Sequence, residues 1–194
     1  MVSNYKLRLI IVFLLLAIGV LGLTLRLVFV SPDLDFLFQV QSSDFIVGIS
    51  TGIISAIIMG LISSLPVFKE VRETLIPAIK VFSSPPWFAF LVSLFAGVCE
   101  ELFFRAFLQE LIGLIPTAIL FVAIHGYYFP KPRAMPLLGI LVTFIAVALG
   151  LLYEHFGFWA AASMHFAYDF VLLLATLKFK TCESNNSDGW ENVN

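Results

Sequence analysis

The chain has 194 residues, 60% of them hydrophobic and 12% charged, with a formal net charge of −2. A water-soluble globule carries about 25% charged residues, so a soluble domain is excluded and an all-α, polytopic membrane bundle is expected. The few basic residues are scattered rather than gathered on one face, which excludes a nucleic-acid partner.

A span needs about 20 apolar residues to cross ~30 Å of hydrocarbon. Lys6 and Arg8 precede the run Leu9–Leu25, which is long for a signal's apolar region and lacks a small-x-small cleavage site; it is expected to be a retained first span. Phe45–Ser63 is the second. Lys69–Phe82 then alternates charge with Val71, Leu75, Ile76, Ile79 and Val81, which predicts an interfacial amphipathic helix interrupted near Pro77. A plain solvated loop is the alternative there. Trp87–Gly113 is the third span and carries Glu100, Glu101, Arg105 and Glu110. Ile115–Phe129 is a short fourth, with Pro116 in its first turn, where a missing N–H costs nothing. Met135–Tyr153 and Phe158–Leu177 complete six spans. The polar tail from Thr181 is expected to be disordered. The chain thus divides into 1–84 (two spans and the amphipathic segment), 85–180 (a four-helix core) and 181–194 (the tail).

Six spans place Lys6, Arg8, Lys69, Arg72, Lys80, Lys131, Arg133, Lys178 and Lys180 on one side, and Arg26 on the other with Asp33, Asp35, Asp44 and Glu154. The excess of Lys and Arg on the cytoplasmic side of membrane proteins puts both termini in the cytoplasm. Cys99, inside an apolar stretch, and Cys182, in the tail, are not expected to pair.

A charged side chain at the bilayer centre costs about 2.5–3.5 kcal/mol on insertion scales, so Glu100, Glu101 and Arg105 need partners within the bundle. Glu101 and Arg105 are i, i+4 and can pair directly. Glu100 is turned about 100° away on an α-helix and has no same-helix cation at that spacing, which makes it a candidate general base. A helix-bundling ion network without chemistry is the alternative. His125 lies near the end of the fourth span, and His165 and Asp169 are i, i+4 in the sixth. At ~1.5 Å per residue, Glu100 is roughly 21 Å in from Pro86, and His165 and Asp169 about 20 and 14 Å from Lys178. His125, about 9 Å from Lys131 on that scale, is shallower unless the helix tilts or unwinds at Gly126. These depths predict one polar cavity, a functional site by default in a membrane bundle.

Glu100-Glu101-Leu-Phe-Phe-Arg105 resembles the EExxxR motif of the CAAX-protease and bacteriocin-processing family, whose members are intramembrane glutamate endopeptidases. Phe121-Val-Ala-Ile-His125 resembles its FxxxH motif, and His165-Phe-Ala-Tyr-Asp169 its HxxxN or HxxxD motif. The likeness covers roughly Phe88 to Leu174. It implies that Glu100 is the general base and His125 its partner in activating water. Glu101 and Arg105 would hold the first motif together, while His165 and Asp169 would line the opposite wall and stabilise the oxyanion. It also implies catalysis without metal or other cofactor, on a membrane-associated peptide or protein. Asp169 stands where the best-known members have Asn; an amide donates a hydrogen bond at any pH, a carboxyl only while protonated.

Other chemistries use the same residues. Glu100, His125 and His165 could form a three-ligand zinc set, although no HExxH is present. Cys99 with His125 invites a thiol nucleophile, against the plainer role of a small residue in a helix interface. A proton or ion relay in a small transporter is a third reading, without the internal symmetry common in such proteins. A non-catalytic immunity or scaffold protein of the same fold is a fourth. His155 is expected to be solvated, and Phe103, Phe104, Phe88 and Phe90 to pack in the core or face lipid rather than form a prenyl groove. Prenylated CAAX termini, peptide precursors and membrane-protein tails all stay open as substrates.

Overall fold

A computed structural model describes residues 4–83 and 85–177; Lys178, Lys180, Cys182 and the tail 181–194 lie outside the described residues. The described residues form helices joined by turns and short irregular segments, with no strand. The main helices are α1 (Asn4–Phe29), α2 (Ser42–Ser64), α3 (Lys69–Ser83), α4 (Pro86–Ile112), α5 (Leu114–Ile124), α6 (Met135–Phe156) and α7 (Phe158–Leu177). Five of them, α1, α2, α4, α6 and α7, are long and apolar enough to cross a membrane. The chain is an integral, multi-pass membrane bundle.

Sharp reversals at Gly113 (φ 87°) and Gly157 (φ 83°) join α4 to α5 and α6 to α7. Polar contacts level the helix ends on this face. Gln109 Nε2 donates to the Gly150 carbonyl (3.1 Å) and to Glu154 (3.0 Å), and the Tyr153 hydroxyl donates to Glu110 (2.9 Å). Arg26, the exceptional cation of this side, is buried: it donates to the Ala106 carbonyl (2.7 Å) and lies over the Phe36 ring at 4.4 Å.

Two expectations are corrected. The fourth apolar stretch is helical only to Ile124, because Gly126 takes φ 81°, a conformation that costs glycine little. Eleven residues of α-helix rise about 16 Å, too little to cross a bilayer alone, and residues 125–134 follow α5 in irregular form. Backbone of that kind is tolerated at membrane depth where it lines a cavity or is covered by protein. The second correction is at Pro77, which does not interrupt α3. Glu73, whose carbonyl loses its partner, and Pro77 itself both lie on the exposed face, where solvent can satisfy that carbonyl. The opposite face of α3 buries Val71 and sends Ile79 and Phe82 toward the bundle.

Small residues set the helix spacings. Gly48, Gly52 and Ala56 form a stripe on α2 that seats α7. A Cβ at Gly48 would strike Ser163 and the Ala160 carbonyl, and one at Gly52 the Met164 carbonyl and Ala167. Gly52→Leu should therefore lower stability by about 1–3 kcal/mol, the usual cost of overpacking, read as a lower unfolding midpoint in detergent. Gly60→Ala, on the same helix but with nothing within 4 Å of the added carbon, should leave the midpoint unchanged. Equal effects would remove the α2–α7 stripe from the account.

Candidate active site

The site is built on α4, α5 and α7. Midway along α4 the backbone changes from α to π geometry, over Ala96–Glu100 and again over Leu102–Gln109. A π turn closes on i→i+5 hydrogen bonds, so successive residues rotate less about the axis than on an α-helix. Glu100 and Glu101, expected to diverge, both approach His165 of α7.

Their environments differ. Glu101 and Arg105 are fully buried, and Arg105 Nε donates to Glu101 Oε2 at 2.9 Å. The other oxygen of Glu101 lies 2.7 Å from His165 Nδ1. Both oxygens of Glu101 are therefore engaged. Glu100 Oε2 is buried and has no hydrogen-bond partner among the described residues. Around it stand His125 Nε2 at 3.7 Å and His165 Nε2 at 4.0 Å. Asp169 Oδ2 is 3.5 Å from the same His165 Nε2.

The orientation of each imidazole is set by its other nitrogen. His125 Nδ1 is 2.7 Å from the Phe121 carbonyl, which can only accept, so Nδ1 carries the proton and Nε2 of the neutral ring is an acceptor aimed at Glu100. The end of α5 at Ile124, with the turn at Gly126, brings His125 to the depth of Glu100 and removes the mismatch in depth expected of a continuous helix. Phe121 braces both rings, at 4.5 Å from His125 and 5.8 Å from His165 between centroids, and lies under the Arg105 guanidinium at 5.6 Å.

All six residues singled out from sequence (Glu100, Glu101, Arg105, His125, His165 and Asp169) thus form one cluster. Glu100, His125, His165 and Asp169 border a cavity of about 340 Å³. Its apolar walls include Ile11 and Leu15 of α1, Ile79 and Phe82 of α3, and Leu172 and Leu173 of α7. Three features were not anticipated. One is the Glu101–His165 bond. Another is the bracing role of Phe121, for which its i, i+4 relation to His125 was the available signal. The third is Tyr127, whose ring stacks on His125 at 6.5 Å and 19° and lines the cavity. It lies past the end of α5, inside the stretch Ile115–Phe129 read as a continuous span, so nothing in the sequence aimed it at the site.

Among the described residues, no three His, Cys, Asp or Glu side chains are grouped so as to hold a metal ion. Cys99 is free and buried against Gly19 of α1, away from the cavity lining. His155 is exposed at the end of α6. Phe88 and Phe104 are core residues, and Phe90 is half exposed on the outer surface.

Residues 82–171 match the model of a family described as type II CAAX prenyl endopeptidase, Rce1-like. The chain is also similar to the uncharacterized protein YpbD of Bacillus subtilis (strain 168), with 41% identity over 95 residues. That match covers 47% of this chain and 48% of YpbD, so the chain spans about half the length of this curated relative. No solved structure matches the chain. Residues 82–171, the stretch similar to the Rce1-like family of type II CAAX prenyl endopeptidases, hold every ionisable group of the cluster.

Proposed function

We propose that the protein is an intramembrane endopeptidase that hydrolyses a peptide bond of a lipidated or membrane-associated protein or peptide, using water activated by Glu100 and His125 without a metal. The observation that carries this reading is the division of labour between adjacent carboxylates: both oxygens of Glu101 are bonded, to Arg105 and His165, while Glu100 Oε2 has no hydrogen-bond partner among the described residues and stands beside two imidazoles.

Glu100 Oε2 and His125 Nε2, at 3.7 Å, are too far apart for a direct hydrogen bond and close enough for one water to touch both at about 2.8 Å. Both are acceptors. A water that donates its two protons to them presents an oxygen lone pair to a substrate carbonyl. Attack forms the C–O bond as one water proton passes to Glu100, and the carbonyl oxygen becomes an oxyanion. His165, whose Nδ1 donates to Glu101, directs Nε2–H of its imidazolium form toward that oxyanion. Collapse breaks the C–N bond, and Glu100 returns the proton to the departing amine. Asp169, 3.5 Å from Nε2, orients His165 and balances its charge. The apolar walls suit an apolar segment of the substrate beside the scissile bond.

The same reading places both termini and the Lys131–Arg133 segment in the cytoplasm. It is supported by the placement of Lys6, Arg8, Lys69, Arg72, Lys80, Lys131 and Arg133 at one end of the bundle and by the burial of Arg26 at the other. Single cysteines at Asp33 and Lys131 should label from opposite sides of a sealed vesicle; labelling from one side refutes this topology.

Glu100→Gln keeps the shape of the carboxylate but not its basicity, and should lower cleavage of a lipidated or leader peptide by about 100- to 10,000-fold with the unfolding midpoint unchanged. His125→Ala should behave alike, and a chelator should leave wild-type turnover intact. Arg105→Ala strands Glu101 in the bundle and should instead cost about 3–5 kcal/mol of stability. Near-normal turnover by Glu100→Gln would refute the base assignment, and loss with chelator restored by Zn²⁺ would move the chemistry to a metallopeptidase.

Asp169 offers a finer test. As a group orienting His165, its replacement in Asp169→Asn should lower turnover while leaving the unfolding midpoint unchanged. An Asp169→Asn variant as active as the wild type would refute that role.

A further inference from the structure

A second crevice lies apart from the catalytic cavity, at the end of the bundle where α2 stops and α6 starts. It has a volume of about 480 Å³, and its walls come from the α2–α3 connection on one side and residues 133–137 on the other. Val67, Lys69 and Glu70 face it from the first wall, Arg133 and Leu137 from the second. We propose that this crevice binds the headgroup of an anionic phospholipid bearing hydroxyls, with the phosphate between Lys69 and Arg133 and the hydroxyls donating to Glu70.

Charge, position and surface chemistry converge on a lipid. Two cations and one carboxylate leave the crevice with a net charge of +1, which complements a monoanionic headgroup rather than a zwitterionic one. The carboxylate, an acceptor, supplies the partner that headgroup hydroxyls need. The crevice sits at the junction of two membrane-length helices and the amphipathic α3, the level at which headgroups lie. Its neighbours toward the bilayer are exposed and apolar: Leu65 at 50%, Val67 at 55% and Leu137 at 45%. They give acyl chains a surface that a free phosphate would not use. The first wall is also fixed in place, since Arg72 Nη1 donates to the Ser63 and Leu65 carbonyls at the end of α2. Lys69 pairs with Glu73 at 3.9 Å on an exposed face, a contact weak enough to yield to a phosphate.

The test reads lipid binding and not peptide hydrolysis, so its failure is separate from failure of the peptidase assignment. Full-length protein in neutral detergent would be titrated with phosphatidylglycerol, phosphatidylcholine or inorganic phosphate, following the unfolding midpoint. Phosphatidylglycerol at about 100 times its Kd should raise the midpoint by roughly 5 °C, and the other two should not. The increment should shrink as salt is raised. The double variant Lys69→Gln, Arg133→Gln should keep the wild-type midpoint in phosphatidylcholine and lose the phosphatidylglycerol increment. Native mass spectrometry of the wild type with an equimolar lipid mixture, which needs no variant, should retain phosphatidylglycerol preferentially. Equal retention of both lipids, equal stabilisation by inorganic phosphate, or an unchanged increment in the double variant would each overturn the proposal.

Discussion

A carboxylate with no exposure in the middle of a membrane bundle persists only if its charge is met on both oxygens, and Glu101 meets that condition through Arg105 and His165. The bond to Arg105 is local, one turn along α4. The bond to His165 reaches across to α7 and fixes the register of the two helices at the depth of the site. Breaking such a network strands a buried charge, which costs several kcal/mol even though an apolar replacement of the whole network can be neutral. Arg105 bonds Glu101 through Nε alone, and its guanidinium lies over Phe121, whose π face offsets part of its desolvation. Phe121 in turn supports both imidazoles and supplies the carbonyl that fixes the tautomer of His125. The buried ion pair thus fixes His165 directly and packs against the ring that braces His125, while Glu100 Oε2 has no hydrogen-bond partner among the described residues.

The backbone departs from regular α-helix in the same region. The π segments of α4 let two consecutive glutamates face α7, and the early end of α5 leaves His125 beside Glu100. In hydrocarbon such departures are expensive unless the freed groups are covered by protein or by a cavity. Here Tyr127, in the irregular segment, lines the cavity and stacks on His125. Regular spans hold the bundle at membrane thickness, and the irregular stretches bring the ionisable groups to one point.

What is legible in the sequence follows from what hydropathy and spacing measure. The apolar runs locate α1, α2, α4, α6 and α7, and the last run, Phe158–Leu177, has the same bounds as α7. The cost of burying charge in an apolar run is enough to single out the six residues of the cluster. Hydropathy could not find the end of α5, because Tyr127, Tyr128 and Phe129 are as apolar in a loop as in a helix. It also gave no sign of the π turns, since a change from i→i+4 to i→i+5 bonding leaves no composition signal over Ala96–Gln109. Pro77 misled because a missing donor interrupts a buried helix more surely than an exposed one. The Glu101–His165 bond depends on how α4 and α7 are aligned, which spacing along one chain does not encode.

That alignment rests on a residue with no side chain. Gly97 lies one turn before Glu100 and Glu101, and a Cβ there would stand 2.6 Å from the Ala162 carbonyl and 2.9 Å from the Phe166 nitrogen. Glycine lets the backbones of α4 and α7 meet at this point, as small residues do in membrane helix interfaces where van der Waals contact replaces the hydrophobic drive. Ala161 and Ala162, buried on α7, keep the opposing surface equally low. Close approach at Gly97 brings His165, three residues beyond Ala162, within 2.7 Å of Glu101. The charged network could not form across the wider separation that larger interfacial side chains impose. Apolar packing of the smallest residues therefore comes first in this site, the ion network closes on it, and the unpartnered carboxylate of Glu100 is what the two together leave facing the cavity.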